Sequence, residues 1–273
     1  VPQDGQGLAN LYGGRAALAE KLDQLFETTL ETDTVGANQG IHERREAQEV
    51  KMGEYGHSNQ PSHHIPYMYL YAGRPDRTQE KVRQVLRQCY VGSRIGQGYI
   101  GDEDNGEMSA WFIFSAMGFY PLNMGNGELV FGSPLFKKIT LHHENGHDLI
   151  IEAPNNSSTN IYVGGLTING EAYSKTSIKQ TDLTDQLKTQ DVVLHFDMQA
   201  TPGKWGMGEN DVPDSLTKGD ETPDPLRDRT NSAAVVAKEV PTTLSSGDSI
   251  YCADGENLKN LLDNNSKTSA TLK

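Results

Sequence analysis

The stretch 98-GYIGDEDNGEMSAWFIFSAMGFYP-121 joins an acidic segment to a long apolar one. Asp102, Glu103 and Asp104 stand in a row between glycines, directly before residues that are apolar nearly all round a helix. Asp104 or Asn105 is expected to cap that helix. A carboxylate at a helix N-terminus is stabilised as an anion by the exposed N–H groups, which suits a general base. A solvated acidic turn with an ordinary cap accounts for the same residues.

Spacing adds an expectation for this acidic loop, residues 101–106. Side chains two residues apart in an extended chain point to the same side. Asp102 and Asp104 are therefore expected to face one way and Glu103 the other. A calcium loop of the EF-hand type does not fit, because the pattern D-x-D-x-G lacks the fifth ligand and the distal glutamate.

The residues on either side of the acidic loop indicate helices joined by short polar loops. Helical spacing of apolar residues, or plausible caps and stops, marks 15–30, 62–73, 76–90 and 106–118. In the second of these, Ser62 is the expected N-cap and Gly73 the expected stop; in the third, Asp76 is the expected cap. The last is apolar nearly all round and should be buried. The pattern predicts antiparallel helix pairs over 1–126.

After Pro121 the pattern changes to short β-rich runs about ten residues apart. Asn145-Gly146 and Asn169-Gly170 are typical of tight hairpin turns. The sequence therefore predicts an antiparallel β-sandwich or jelly-roll-like region over 127–205, within an α+β fold. Residues 206–273 are polar, acidic and proline-rich at first, which indicates a linker or loosely packed strap with a C-terminal extension.

Composition restricts the classes of partner. The chain has 273 residues and a net charge of −13, from 37 acidic and 24 basic residues. Nucleic acid is excluded as the main partner, because phosphate binding requires a concentrated basic face. The apolar runs are far shorter than a membrane span requires. Cys89 and Cys252 lie far apart without a CxxC partner, so two free thiols are expected.

A second polar stretch, 54-EYGHSNQPSHHIPYMYLYAG-73, combines three histidines with four tyrosines. His63 and His64 are adjacent, which makes them a poor zinc pair, and HExxH spacing is absent. Asn59 and Gln60 offer oxygen ligands suited to calcium. Histidine and tyrosine rings also suit the hydroxyls and C–H faces of sugars. Packing between helices accounts for each aromatic residue taken singly.

Four stretches together resemble a known family. The two quoted above, with 1-VPQDGQGLANLYGG-14 and 132-GSPLFKKITLHHENG-146, occur in an order and spacing similar to the C-terminal half of the glycoside hydrolase family 92 α-mannosidases. The resemblance extends from residue 1 to about residue 205. It implies a calcium-dependent, exo-acting enzyme that inverts the anomeric centre. It also implies that the helices of 1–126 are the later helices of an (α/α)6 catalytic barrel.

The resemblance also implies roles for particular residues. Asp104 would be the general base and Asp102 its partner or alternate. Asn59 and Gln60 would hold calcium, with glutamine standing where the family often has glutamate, so a charge is lost. The sugar pocket would be lined by His57, His63 and His64, with Glu103 in a supporting position.

One departure from the family concerns the general acid. In the family it is a glutamate in a Glu-Gly-Asn motif shortly before the segment that matches residues 1–14. The sequence begins after that motif, and GENDVP and DGENLK do not replace it. We therefore expect this fragment alone to be inactive, with exposed apolar surface that favours self-association.

By family analogy, the parent would act on the terminal α-mannosides of mannose-containing glycans, with α-1,2 as the expected linkage, and would be periplasmic or secreted. Two alternatives stay open from the residues alone. One is a carbohydrate-binding module without hydrolysis. The other is a glycoside phosphorylase-like (α/α)6 enzyme, although an acid-rich loop is a poor neighbour for phosphate.

Overall fold

The chain is described by a computed structural model that covers residues 2–29, 42–92, 98–222, 255–256 and 271–272. Contacts divide it into one unit up to Pro223 and another from Asp224. In the second unit the description covers only a short antiparallel pair, β9 (Gly255–Glu256) with β10 (Thr271–Leu272). Cys252 lies outside the described residues, and Cys89 is a buried free thiol. The predicted division at residues 126 and 205 stays a prediction.

Helices dominate the first part of the chain. They are α1 (Gly5–Tyr12), α2 (Arg15–Glu27), α3 (His42–Val50), α4 (Pro75–Gln88) and α5 (Glu107–Met117). The helix predicted over 15–30 is confirmed, and its apolar face buries Leu18, Leu22 and Phe26. None of the described helices is both long and apolar enough to cross a membrane.

The prediction of an α-helix over 62–73 is wrong. The chain instead forms 3₁₀ segments at Gln60–Ser62 and Ile65–Leu70. Pro66 explains the difference, because it has no N–H to donate and its ring blocks the α-helical continuation. The predicted stop at Gly73 is also wrong: the second 3₁₀ segment ends at Leu70 with Tyr71 as its C-cap, and Gly73, with φ at 68°, lies in the turn that follows. The predicted cap of α4 is also wrong, because Pro75 begins the helix and the carboxylate of Asp76 binds the Arg74 guanidinium.

The start of α5 differs from the prediction in its backbone. The N-cap residue is Gly106, which has no side chain that could cap the helix. Asp104 and Asn105 have φ of 49° and 58°, so this part of the acidic loop is a left-handed turn and not extended chain. The alternation expected for its carboxylates therefore fails at Asp104. The helix is buried on one side only, since Ile113 is 54% exposed.

Two sheets follow α5, with strand orders β1-β2-β7 and β3-β4-β8-β5-β6. The strands are β1 (Phe119–Asn123), β2 (Glu128–Phe131), β3 (Lys138–His142), β4 (Asp148–Glu152), β5 (Tyr162–Ile168), β6 (Glu171–Ala172), β7 (Ser177–Lys179) and β8 (Val192–Gln199). Both predicted hairpins are confirmed, as β3–β4 and β5–β6. The prediction of a purely antiparallel region is wrong, because β4 and β8 pair in parallel. The helix α6 (Gln180–Leu187), which was not predicted, lies between β7 and β8.

Residues 206–222, called the strap below, are fastened to the first unit by hydrogen bonds. Asp4 accepts bonds from the Ser215 hydroxyl and from both the N–H and the hydroxyl of Thr217, at 2.8–2.9 Å. Buried Glu128 accepts the N–H of Asp214 at 3.1 Å. The strap is thus held at several points and is not loosely packed.

Replacing Asp4 with asparagine is expected to lower the free energy of unfolding by about 1–3 kcal/mol, because charge-assisted bonds to the strap are lost. Burial is the largest influence on Asp4 and raises its pKa, but hydrogen bonds from Thr217, Ser215 and Gly7 outweigh it and hold the pKa below its ordinary value. The carboxylate therefore stabilises the fold above the unfolded-state pKa, and this contribution disappears as the pH falls through the folded-state value.

Urea unfolding at neutral pH and near pH 3 measures this contribution. The difference between the parent chain and the Asp4→Asn variant should be full at neutral pH and smaller in acid. Asp220→Asn, at an exposed aspartate of the same strap, is the matched control. Equal losses from both variants would contradict the account of the strap.

Candidate active site

The fold brings the acidic loop against residues 57–64, called the histidine turn below. The Gln60 side-chain amide donates a hydrogen bond to the backbone oxygen of Asp102, at 3.3 Å. Gly101, with φ at 72°, allows the close approach, since a β-carbon there would lie 2.6 Å from Cβ of Ser58. Two stretches about forty residues apart in sequence therefore form one polar surface.

The three carboxylates of the acidic loop have different surroundings. Asp102 and Asp104 are exposed, and within the described residues neither forms an ion pair. Glu103 is half-buried and accepts a hydrogen bond from the Ser109 N–H at 3.3 Å. The Tyr99 hydroxyl, together with Ser109, lowers the pKa of Glu103 below its ordinary value. Glu103 is thus held by the protein, while the two aspartates can reach solvent or a ligand.

His57 lies inside the protein with both ring nitrogens engaged. Nδ1 is 2.8 Å from the Tyr55 hydroxyl, and Nε2 is 2.8 Å from the Tyr90 hydroxyl. Tyr90 donates its proton to the backbone oxygen of Met108, so Nε2 of His57 must carry the proton that Tyr90 accepts. Burial, with a contribution from His63, holds the pKa of His57 well below its ordinary value. The ring is a neutral packing group in this structure, and its contact with a sugar stays a prediction.

His63 is also buried, at 2% exposure, and stacks on His57 with ring centroids 4.4 Å apart. Its Nε2 is 2.9 Å from the backbone oxygen of His57, and its Nδ1 is 3.1 Å from Oε1 of Glu107. The Trp111 indole N–H donates to the backbone oxygen of His63 at 3.1 Å. The first turns of α5 are therefore bonded directly to the histidine turn.

The remaining predicted residues are more accessible. Asn59 is exposed, while Gln60 and His64 are half-buried. Burial is the main cause that lowers the pKa of His64. Asn59, Gln60 and the two exposed aspartates of the acidic loop supply oxygen donors, which fit a hard cation such as calcium. Within the described part of the chain, no group of three or more His, Cys, Asp or Glu side chains forms a metal cluster. A calcium site here would need further ligands.

An apolar groove of about 420 Å³ lies beside the acidic loop, lined by Tyr90, Tyr99, Phe112 and Ile113 among others. Aromatic faces next to polar groups suit sugar rings. A larger, polar cavity of about 880 Å³ lies under the strap and contains none of the predicted site residues. The site is therefore assigned from the acidic loop and not from the size of a cavity.

The sequence reasoning missed Glu107, Tyr90 and Trp111 as neighbours of the predicted residues. Glu107 stands three residues after Asp104, in the first turn of an apolar helix. An acidic residue at that position was the available signal, but the pattern placed it only within the helix predicted over 106–118. Tyr90 had no local signal, because its contact with His57 spans 33 residues.

Comparisons with known proteins agree with this architecture. Residues 1–200 match the family model described as the glycosyl hydrolase family 92 catalytic domain. An uncharacterized secreted glycosidase of Arthroderma benhamiae is 27% identical over 225 residues, which are 80% of this chain and 25% of that protein.

Solved structures of α-mannosidases from Bacteroides thetaiotaomicron are also similar. The family 92 α-mannosidase BT3965 is 32% identical with a TM-score of 0.66, over 80% of this chain and 27% of that one. The family 92 inverting mannosidase BT2199 is 36% identical with a TM-score of 0.64, over 80% of this chain and 29% of that one. The chain thus spans about a quarter of the length of these relatives. It is of mixed α and β structure and belongs to glycosyl hydrolase family 92.

Proposed function

We propose that the chain is part of an exo-acting, inverting α-mannosidase that removes terminal α-mannosides, with α-1,2 as the expected linkage, from glycans. The observation that carries the proposal is the contact between the acidic loop and the histidine turn, through Gln60 and Asp102. It brings the backbone of the acidic loop, which carries two exposed carboxylates, against the side-chain amide of Gln60. The family membership supports the choice of reaction, since BT3965 has been solved in complex with mannoimidazole.

In this mechanism Asp104 accepts a proton from the attacking water, and Asp102 is its partner or alternate. Inversion requires a separate acid that protonates the leaving oxygen, with the two carboxyl groups roughly 6.5–9.5 Å apart. We assign that acid to a part of the protein outside these 273 residues, because the sequence contains no Glu-Gly-Asn motif. The chain alone is therefore proposed to be inactive.

The finer architecture is part of the same proposal. The helices up to Met117 would be the later helices of an (α/α)6 barrel, and the two sheets would be the β-structure that follows it. The secreted relative supports an exported protein, which we place in the periplasm or outside the cell.

Calcium is proposed as the cofactor. Asn59 and Gln60 would hold it through their amide oxygens, with the aspartates of the acidic loop as further oxygen donors. When bound, calcium would supply a positive centre for the 2- and 3-hydroxyls of mannose. Gln60 is neutral, so binding is expected to be weaker than with a glutamate at that position.

Mannose release tests the proposal. The full-length protein should hydrolyse α-1,2-mannobiose when calcium is present, should lose activity in EDTA and should recover when calcium is restored. The 273-residue chain should release none. No release from any α-linked mannobiose by the full-length protein would overturn the proposed function. Binding of mannosides without hydrolysis would then favour the carbohydrate-binding alternative.

A further inference from the structure

The acidic loop and the histidine turn are in close contact at Gly101 and Ser58, both of which are buried. A β-carbon on Gly101 would lie 2.6 Å from Cβ of Ser58, 3.0 Å from its Cα and 3.2 Å from its backbone oxygen. Ordinary contacts between carbon atoms are about 3.5–4.0 Å long. There is thus room for one β-carbon between the two segments, and Ser58 supplies it.

Hydrogen bonds on both sides of Gly101 hold the acidic loop in this position. The N–H of Ile100 donates to the backbone oxygen of Cys89 at 3.1 Å. The backbone oxygen of Asp102 accepts a bond from the side-chain amide of Gln60 at 3.3 Å. The loop therefore cannot move away from the histidine turn at Gly101 without straining or breaking one of these bonds.

The rest of the acidic loop is joined to the start of α5. The backbone oxygen of Asp104 accepts the Glu107 N–H at 3.2 Å, and that of Glu103 accepts the Met108 N–H at 3.3 Å. Asp104 is three residues after Gly101, so a displaced Gly101 either moves the proposed base or breaks these bonds. In both cases the carboxylate of Asp104 changes its position relative to the histidine turn.

Ser58 has little freedom to give way. Its side chain is 3% exposed. The backbone on either side is held, because the oxygen of His57 lies 2.9 Å from Nε2 of His63 and the N–H of Asn59 donates to the oxygen of Gly56 at 3.3 Å. Within the described residues the buried Ser58 hydroxyl has no hydrogen-bond partner. Ser58 therefore contributes the volume of its β-carbon to the contact and not a polar bond.

We infer that Ser58 and Gly101 are positioning residues, whose steric contact fixes the distance between the proposed base, Asp104, and the histidine turn. The inference rests on the proposed function as far as catalysis is concerned, whereas the contact itself does not. The Gln60 amide holds the acidic loop against the turn, and the contact limits how closely the loop approaches. Both residues act through the acidic loop and not on the substrate.

Kinetics of the full-length protein test the positioning role. Gly101→Ala should lower kcat for α-mannoside hydrolysis about 10²-fold, because a misplacement of about 1 Å can cost that much. KM should change little, since the base acts in the chemical step.

The matched control is Gly127→Ala, in the turn between β1 and β2. Gly127 has φ of 63°, and apart from the adjoining residues the described chain has no atom within 4 Å of its β-carbon position. An alanine there has the same kind of backbone strain without a clash, so kcat should stay unchanged.

Second changes at Ser58 identify the atom responsible for the loss. In the Gly101→Ala protein, Ser58→Gly removes Cβ and should recover about tenfold of the lost kcat. The recovery is partial, because Cα of Ser58 is 3.0 Å from the new β-carbon. Ser58→Ala removes only the hydroxyl and keeps Cβ, so it should recover nothing. Equal effects of these two changes would overturn the steric contact.

Hydrogen exchange followed by mass spectrometry tests the contact without using activity. Peptides that cover residues 101–106 should exchange about tenfold faster in Gly101→Ala than in the parent protein, because the displaced loop opens more often. Adding Ser58→Gly should slow the exchange again, and adding Ser58→Ala should not. If Gly101→Ala does not fold, Ser58→Val replaces it in both measurements, with losses in the same direction, because it enlarges the other side of the contact.

The outcomes separate the two claims. Unchanged exchange of the acidic loop would overturn the contact. Faster exchange with unchanged kcat would overturn the positioning role. If the parent protein releases no mannose but the exchange follows the expected pattern, the proposed function fails and the contact stands.

Discussion

Replacing Asp104 with asparagine is expected to lower kcat for mannoside hydrolysis by roughly 10²–10⁴-fold, the contribution of a well-placed general base. Asparagine keeps the shape of the side chain but cannot take the proton from water. Asparagine also tolerates the left-handed backbone found here, so the turn should persist. The loss should therefore appear in kcat and not in folding.

The measurement is steady-state mannose release by the full-length protein. Asp102→Asn distinguishes the base from its partner. If Asp104 is the base, kcat should fall less in Asp102→Asn than in Asp104→Asn. Asp185→Asn, at an exposed aspartate of α6, is the control and should have no effect. A loss for Asp104→Asn of less than about tenfold would remove Asp104 from the role of base.

Replacing Trp111 with alanine is expected to lower the free energy of unfolding by about 3–5 kcal/mol, the cost of a large cavity in a core. Its side chain is fully buried and packs against two rings of the histidine turn, those of His57 and His63. The indole contacts the rings of His57, at 4.5 Å between centroids, and Tyr90, at 5.9 Å. It also donates to the backbone oxygen of His63, which would be left unpaired.

Urea unfolding of the 273-residue chain measures this loss. The signal is the far-ultraviolet circular dichroism of the backbone, because it does not depend on the tryptophan that is removed. Ile113→Ala in the same helix is the matched control, because that side chain is 54% exposed and should cost less than about 1 kcal/mol. Similar losses for the two variants would contradict the one-sided burial of α5.

Features set by neighbouring residues could be predicted from the sequence. The Asn145-Gly146 and Asn169-Gly170 hairpins needed only turn chemistry, and Asn169 and Gly170 indeed have positive φ. The helix over 15–30 followed from spacing alone. By contrast, the interpretation of 62–73 gave more weight to caps than to Pro66, whose missing N–H excludes a regular α-helix there.

Features set by distant contacts could not be predicted. The parallel pairing of β4 with β8 joins residues more than forty apart and depends on the chain between them. The contact of the acidic loop with the histidine turn followed from a family resemblance and not from spacing. The left-handed turn at Asp104 and Asn105 is held by its surroundings, since neither residue alone prefers it over extended chain.

The candidate site also combines features that could be predicted from the sequence with features that could not. The chemical types of its residues were visible in the sequence, but their burial was not. His57 and His63 look like pocket residues in the sequence, yet both lie inside the protein with engaged ring nitrogens. A tyrosine 33 residues away decides the tautomer of His57.

The most direct test of the central claim is the proton NMR spectrum of α-1,2-mannobiose in the first minutes after the full-length protein and calcium are added. An inverting α-mannosidase with Asp104 as base predicts that β-mannose appears first and α-mannose only as the sugar equilibrates. The same sample with Asp104→Asn should show neither signal. α-Mannose as the first product, or no mannose at all from the parent protein, would contradict the account.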